Sequence, residues 1–187
     1  MKFLICGLGN IGDEYTNTRH NVGFVALDAI AAAFNVTFKP GRLASVAEAT
    51  FKGRQLVLIK PSTYMNLSGK AVKYWMNHEK LLPEQILIIH DDLDFPLGSL
   101  NIRKKGSGGT HNGMTDIIDQ LETEEFPRLR FGIGSDFPRG MQVDFVLGRW
   151  TKAEEELLKP RIPLVVDIVK SFVTQGLERT MSLYNKR

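Results

Sequence analysis

The chain has 187 residues, of which 43% are apolar and 24% charged, the balance of a folded globular protein rather than of a disordered or collagen-like one. Its 24 lysines and arginines against 21 acids leave a net charge of +3, too mild to name a partner. A single cysteine, Cys6, excludes an intrachain disulfide and a cysteine-rich zinc site, and no run approaches the roughly 18 apolar residues of a membrane span.

Length predicts one domain over 1–187, large enough to bury a core without covalent staples. Phe3-Leu4-Ile5-Cys6 closes on Gly7 and reads as a buried strand. The same run is too short for a signal peptide, so a cytoplasmic location is expected. Residues 21–34 set Val22, Val25, Ala29 and Ala33 on one helical stripe, widened by Leu27, Ile30 and Phe34. Residues 45–51 and 54–60 read as a hairpin around Gly53. A helix is predicted over 67–77 and a fully buried strand over 86–89. Leu100 and Ile102 alternate with polar neighbours, as in a half-buried strand.

Residues 113–121 predict a short helix with Ile117, Ile118 and Leu121 inward, and Leu129, Phe131 and Ile133 alternate as a strand. Thr151 and Glu154 fit a capping box that starts a helix through about Leu158. Pro160 and Pro163 break or restart it, helical spacing resumes over 164–175, and Gly176 fits a C-cap. Strands and helices intersperse throughout. The predicted fold is a single α/β domain, with a central twisted mixed β-sheet covered by helices on both faces.

Gly7-Leu8-Gly9-Asn10-Ile11-Gly12 follows the first strand and matches the dinucleotide pattern G-x-G-x-x-G. That pattern needs a helix opening at the loop, whose amides hold a pyrophosphate. The residues that follow, DEYTNTRHN, have no apolar stripe, and the nearest acid at the required distance, Asp28, falls inside the 21–34 helix. A more local reading is that the glycines let the backbone turn and expose Asn10 at the carboxyl end of the first strand, the usual edge for sites in open α/β sheets.

Four polar clusters adjoin predicted elements: Thr18-Arg19-His20-Asn21, Tyr64-Met65-Asn66, His90-Asp91-Asp92-Leu93-Asp94 and Gly106 through Gly113. Each has a plain structural reading. Asn66, Ser68 or Asn112 can cap a helix, His90 can be a hydrogen-bonded strand-end residue, and Asp92 and Asp94 can bond the turn through Pro96. Arg103, Lys104 and Lys105 form a basic stretch that fits either phosphates or a solvated face. The acids with His20, His90 and His111 suggest a metal, but no ligand spacing such as H-x-x-x-H is present. No G-x-S-x-G elbow appears, and Cys6 lacks a neighbouring base. A His–Asp pair with several amides remains, enough to activate water against an ester.

The segments GLGNIGDEYTNTRHNVGF, KPSTYMNLSG, HDDLDFPLG and GSGGTHNG occur in an order and spacing that resemble bacterial-type peptidyl-tRNA hydrolase, over essentially the whole chain. The resemblance implies a monomeric enzyme that cleaves the ester between a peptide and the 3′-terminal ribose of tRNA, with no metal or organic cofactor. By position, His20 resembles the general base, Asp91 its orienting partner, and Asn10 the residue that separates N-blocked from free aminoacyl-tRNA. Asn66 and Asn112 resemble substrate-binding amides, with His111 beside them as a further substrate-binding residue, Tyr15 and Tyr64 resemble contacts to the tRNA end, and Met65 resembles lining of the cleft. Arg103, Lys104, Lys105 and Arg130 match a basic region that faces the tRNA backbone. Thr110 stands where glycine is common in that loop.

Overall fold

Three apolar runs, at residues 3–6, 56–59 and 86–89, alternate their side chains between two faces, and both faces are buried. Strands of this kind belong in the middle of a sheet with a layer on either side. In the computed structural model, which describes residues 1–185, they are β1 (Lys2–Gly7), β4 (Arg54–Pro61) and β5 (Ile86–Asp92). Before β4 run β2 (Lys39–Gly41) and β3 (Ala44–Phe51), and after β5 come β6 (Leu100–Arg103) and β7 (Arg128–Gly132). The sheet order is β2-β3-β4-β1-β5-β7-β6. The pairs β4-β1, β1-β5 and β5-β7 are parallel, while β2-β3, β3-β4 and β6-β7 are antiparallel.

The helices are α1 (Val22–Ala33), α2 (Ser68–His78), α3 (Asn112–Leu121), α4 (Gln142–Val146), α5 (Lys152–Leu158), α6 (Arg161–Gln175) and α7 (Leu177–Tyr184). Phe3, Ile5, Leu56, Leu58, Leu87 and Ile89 pack with α1 and α6 on one face. Leu4, Cys6, Val57, Ile59, Ile86 and Ile88 pack with α2 and α3 on the other. The predicted two-sided mixed sheet is present, and no described helix is long and apolar enough to cross a membrane.

Details differ from expectation in physically simple ways. Gly53 does turn the β3-β4 hairpin, with Lys52 at φ 47° and Gly53 at φ 79°, the left-handed pair of a tight primed turn. Pro163 neither breaks nor restarts a helix. It sits in the first turn of α6, where a missing N–H costs no bond. The capping box is formed: Glu154 N donates to Thr151 Oγ1 at 3.1 Å and Thr151 N donates to Glu154 Oε1 at 2.8 Å.

No helix opens at the glycine loop; a short 3-10 turn over Asp13–Tyr15 follows it instead, so the dinucleotide pattern lacks its amides. The glycines serve packing. A Cβ on Gly7 would lie 2.2 Å from the Gly23 carbonyl oxygen, and one on Gly23 2.5 Å from the Leu8 nitrogen. Their absence lets the first turn of α1 press against the end of β1. The residues just before α1, His20 among them, are thereby brought to the carboxyl end of the neighbouring strand, β5. This is also where the sheet order reverses: the chain leaves β1 for β2, β3 and β4 on one side and then crosses to β5 on the other, the position at which open α/β sheets form crevices.

Candidate active site

At the carboxyl ends of β1 and β5, three loops are knitted through two asparagines. The Asn10 N–H donates to Asn21 Oδ1 at 2.8 Å, and Asn21 Nδ2 donates back to the Asn10 carbonyl at 2.9 Å. The Met65 N–H in turn donates to Asn10 Oδ1 at 2.7 Å. Asn10 is therefore buried, at 8% exposure, and the expectation that the glycine loop exposes it is corrected. Its oxygen is committed to the loop before α2, while its Nδ2 makes no hydrogen bond among the described residues.

Asp91 is the centre of the constellation. It lies near the end of β5, 3% exposed, with the parity of Leu87 and Ile89. His20 Nδ1 sits 2.7 Å from Asp91 Oδ2, and His111 Nε2 sits 2.8 Å from Asp91 Oδ1. A carboxylate only accepts, so both ring nitrogens carry protons. In the neutral ring the Nε2 of His20 is then the unprotonated nitrogen, and it has no hydrogen-bond partner among the described residues. His111 Nδ1 accepts the Met114 N–H at 3.2 Å, as the N-cap of α3.

Burial alone would raise the Asp91 carboxyl, but the imidazoles of His111 and His20 outweigh it and hold the group well below the usual carboxylate range. His90 is pushed down to about 3, first by burial and then by His111 beside it, so it is neutral. Its Nδ1 donates to the Asp91 carbonyl at 2.8 Å, and its buried Nε2 has no partner among the described residues. His20, Asp91 and His111 offer three donor atoms within 4.8 Å of one another, enough to approach a metal ion. In the geometry present, those atoms are engaged with each other instead.

A cavity of about 300 Å³ opens beside these groups. His20, Asp91, His111 and Asn112 line it, together with the cations Arg103, Lys105, Arg128 and Arg130 and with Gln142, Val143 and Val146 of α4. Arg130 lies over the Phe95 ring at 4.3 Å and donates to Asn101 Oδ1 at 2.7 Å. Lys104 points elsewhere, lining a separate groove with Met1, Phe3 and Glu125.

Asn10, Tyr15, Tyr64, Met65 and Asn66 are not in the wall of the cavity. Met65 is buried against the site, where a Cβ on Gly113 would meet its sulfur at 2.6 Å, and Tyr64 is 57% exposed. Neither Asn66 nor Ser68 caps α2, and Asn112 does not cap α3. Both asparagines are exposed, with amides that make no hydrogen bond among the described residues.

Three features were not legible in the sequence. Asn21 ties the loop of Asn10 through its amide, a task that no local pattern announces. Arg128 is fully buried and, among the described residues, donates to the backbone carbonyls of Phe126, Gly106 and Glu124, fastening the 104–111 loop. Burial, and next Arg130, lower it to about 10, still a cation at neutral pH. The α4 wall is five residues with nothing buried, so it leaves no apolar period to read.

Residues 4–187 match the family model described as peptidyl-tRNA hydrolase. Among relatives, the peptidyl-tRNA hydrolase of Phocaeicola vulgatus is 54% identical over all 187 residues, and that of Bacteroides fragilis strain ATCC 25285 is 51% identical, each comparison covering 100% of both chains. The crystal structure of peptidyl-tRNA hydrolase from Acinetobacter baumannii superposes with a TM-score of 0.93 at 34% identity, covering 98% of this chain and 94% of that one.

Proposed function

The chain belongs to the peptidyl-tRNA hydrolase family, and from that premise we propose how its own residues cleave the ester joining a peptide to the 3′-terminal ribose of tRNA. The observation that carries the reading is the 2.7 Å contact between His20 Nδ1 and Asp91 Oδ2 at the wall of the cavity. With its Nδ1 proton held by a carboxylate, His20 keeps a lone pair on Nε2. It takes a proton there from a water molecule as that water attacks the acyl carbon. Asp91 fixes the tautomer and stabilises the imidazolium that forms. The tetrahedral intermediate then collapses, the ribose oxygen leaves, and His20 returns the proton to it.

Substrate binding divides by chemistry. Asn66 and Asn112 present free amides, suited to the peptide main chain and to a developing oxyanion. Asn10 has only its Nδ2 donor to offer, because Met65 occupies its oxygen. A donor there favours the acyl carbonyl of an N-blocked substrate over the ammonium of a free aminoacyl group. Tyr15, Tyr64 and Met65 flank the path of the tRNA end. Arg103, Lys105 and Arg130 supply cations for phosphates without reading sequence, as suits an enzyme that accepts many tRNAs. We read the working form as a cytoplasmic monomer.

Incubation with an N-blocked aminoacyl-tRNA, with and without chelator, tests this. Release of free tRNA at the same rate in both arms supports the reading. Binding of tRNA without ester cleavage would reduce the protein to an RNA-binding module, and loss of cleavage with chelator would assign the water to a metal.

A further inference from the structure

The carboxylate that holds His20 is itself held from the other side. Asp91 is too buried for solvent to order it, and among the described residues its Oδ1 has one side-chain partner, His111 Nε2 at 2.8 Å. The His111 ring cannot turn over to offer a different face, because its Nδ1 accepts the Met114 N–H that opens α3. The rings of His20 and His111 stand 4.9 Å apart, on the two oxygens of one acid. We propose that His111 is a positioning residue for hydrolysis: its Nε2–H, aimed by the N-terminus of α3, sets the Asp91 carboxylate so that Oδ2 meets His20 Nδ1.

The inference rests on the reading of His20 as base and Asp91 as its partner, and adds a third member that acts through Asp91. It also has an electrostatic consequence. A neutral N–H on Oδ1 draws charge from the carboxylate and so weakens its pull on a protonated His20. Without that donor, imidazolium at His20 is favoured further, and the acid limb of the kcat/KM profile moves to higher pH. The other titratable and charged groups facing this cluster are His90 and Asp92 from β5 and, in the cavity wall, Asp94, Arg103, Lys105, Arg128 and Arg130. They are the same in every variant below.

Two substitutions at this position separate its two bonds. The oxygen of Asn overlays the Nδ1 of His, so His111→Asn keeps the cap on Met114 and loses the donor to Asp91. The amide nitrogen of Gln overlays Nε2, so His111→Gln keeps the donor and loses the cap. Steady-state kinetics on N-blocked aminoacyl-tRNA, with thermal melting of each protein and His20→Ala as reference, reads the difference. For His111→Asn, kcat should fall roughly tenfold or more at unchanged KM, since a misplacement of about 1 Å costs on the order of 10²-fold. Its acid limb should move to higher pH, and His111→Gln should recover most of both.

If His111→Gln loses as much as His111→Asn, if only KM changes, or if neither variant moves the limb, the positioning role is overturned. Should His111→Asn fail to melt cooperatively, full activity in His111→Gln supports the role and an inactive but folded His111→Gln overturns it. Activity surviving in His20→Ala would instead overturn the general-base reading itself, a separate result.

Discussion

Arg19 Nη2 donates to Glu154 Oε1 at 2.8 Å, joining the residue beside His20 to the first turn of a helix 135 positions away. The same guanidinium donates through Nη1 to the Phe145 carbonyl at 3.0 Å and lies 4.3 Å over the Phe145 ring. The Arg19 N–H is bonded to the Gly148 carbonyl at 2.9 Å, and a Cβ on Gly148 would crowd Arg19 Nη1 at 2.7 Å. One buried cation thus fastens α4, which has no fully buried residue of its own, to the segment that carries His20.

Glu154→Ala should therefore cost stability twice. It leaves a buried guanidinium without its carboxylate, and it removes the reciprocal half of the α5 capping box. A loss of roughly 2–3 kcal/mol is expected for a pair this shielded. Glu154→Gln keeps the capping geometry and gives up only the charge, so its loss should be smaller. Urea unfolding midpoints check the order. Indistinguishable midpoints for wild type and both variants would show that Arg19 does not depend on Glu154.

His20→Ala should lower kcat on N-blocked aminoacyl-tRNA by about 10²-fold or more, the scale of a lost general base. Asp91→Asn should also slow turnover while leaving KM near its original value. An amide can accept from the His20 Nδ1–H but carries no charge to stabilise the imidazolium. Single-turnover kinetics separate the two constants. A change confined to KM would make Asp91 a binding residue.

Much of this arrangement is legible in the sequence, and the limits have causes. The central strands announce themselves because burial on both faces demands unbroken apolar runs, as in Ile86-Leu87-Ile88-Ile89. The Thr151–Glu154 box is local, so spacing reveals it. The elements missed bury almost nothing: β2 is an exposed Lys-Pro-Gly, and α7 buries only Thr180. Motif resemblance points to His20 and Asp91, but their contact spans 71 positions, which no local periodicity encodes. The expectation of caps at Asn66 and Asn112 follows propensity, and tertiary structure chooses His111, a weak N-capping type, because Asp91 holds its other nitrogen. Asn10 is expected in the open for the same reason: the amide that buries it belongs to Asn21, in another loop.

The buried titrating groups also predict how stability varies with pH. His90 sits at about 3 when folded against an ordinary 6.5, so between those values the unfolded chain binds the extra proton. Stability from this group is complete above about 6.5 and is lost as pH falls toward 3, with a limiting slope of about 1.4 kcal/mol per pH unit. Asp91, depressed by His111 and His20 despite its burial, adds a second loss once pH passes below the ordinary carboxylate value of 3.8. Urea unfolding at intervals from pH 7 to pH 4 should show the first decline. His90→Phe keeps a ring in the space and removes the titration, so its stability should fall less steeply over that interval. Parallel curves for the two proteins would mean that another group is responsible.

The basic stretch separates into two directions. Arg103 and Lys105 line the cavity that holds His20, whereas Lys104, between them in sequence, faces the groove with Met1, Phe3 and Glu125. The strand β6 ends at Arg103 and the chain bends at Lys104, so this run of three cations presents only part of itself to one ligand. Arg130 is a poorer probe, since it also packs on Phe95 and bonds Asn101. Arg103→Ala and Lys105→Ala should each weaken binding of deacylated tRNA. Each should also flatten the plot of log affinity against log salt, by roughly 0.7 to 0.9 for each phosphate no longer neutralised. Lys104→Ala should change neither the affinity nor the slope. Filter binding over a series of potassium chloride concentrations measures both. If Lys104→Ala matched the other two, the tRNA backbone would have to cross the edge of the sheet into the second groove, and the cavity would not be its only track.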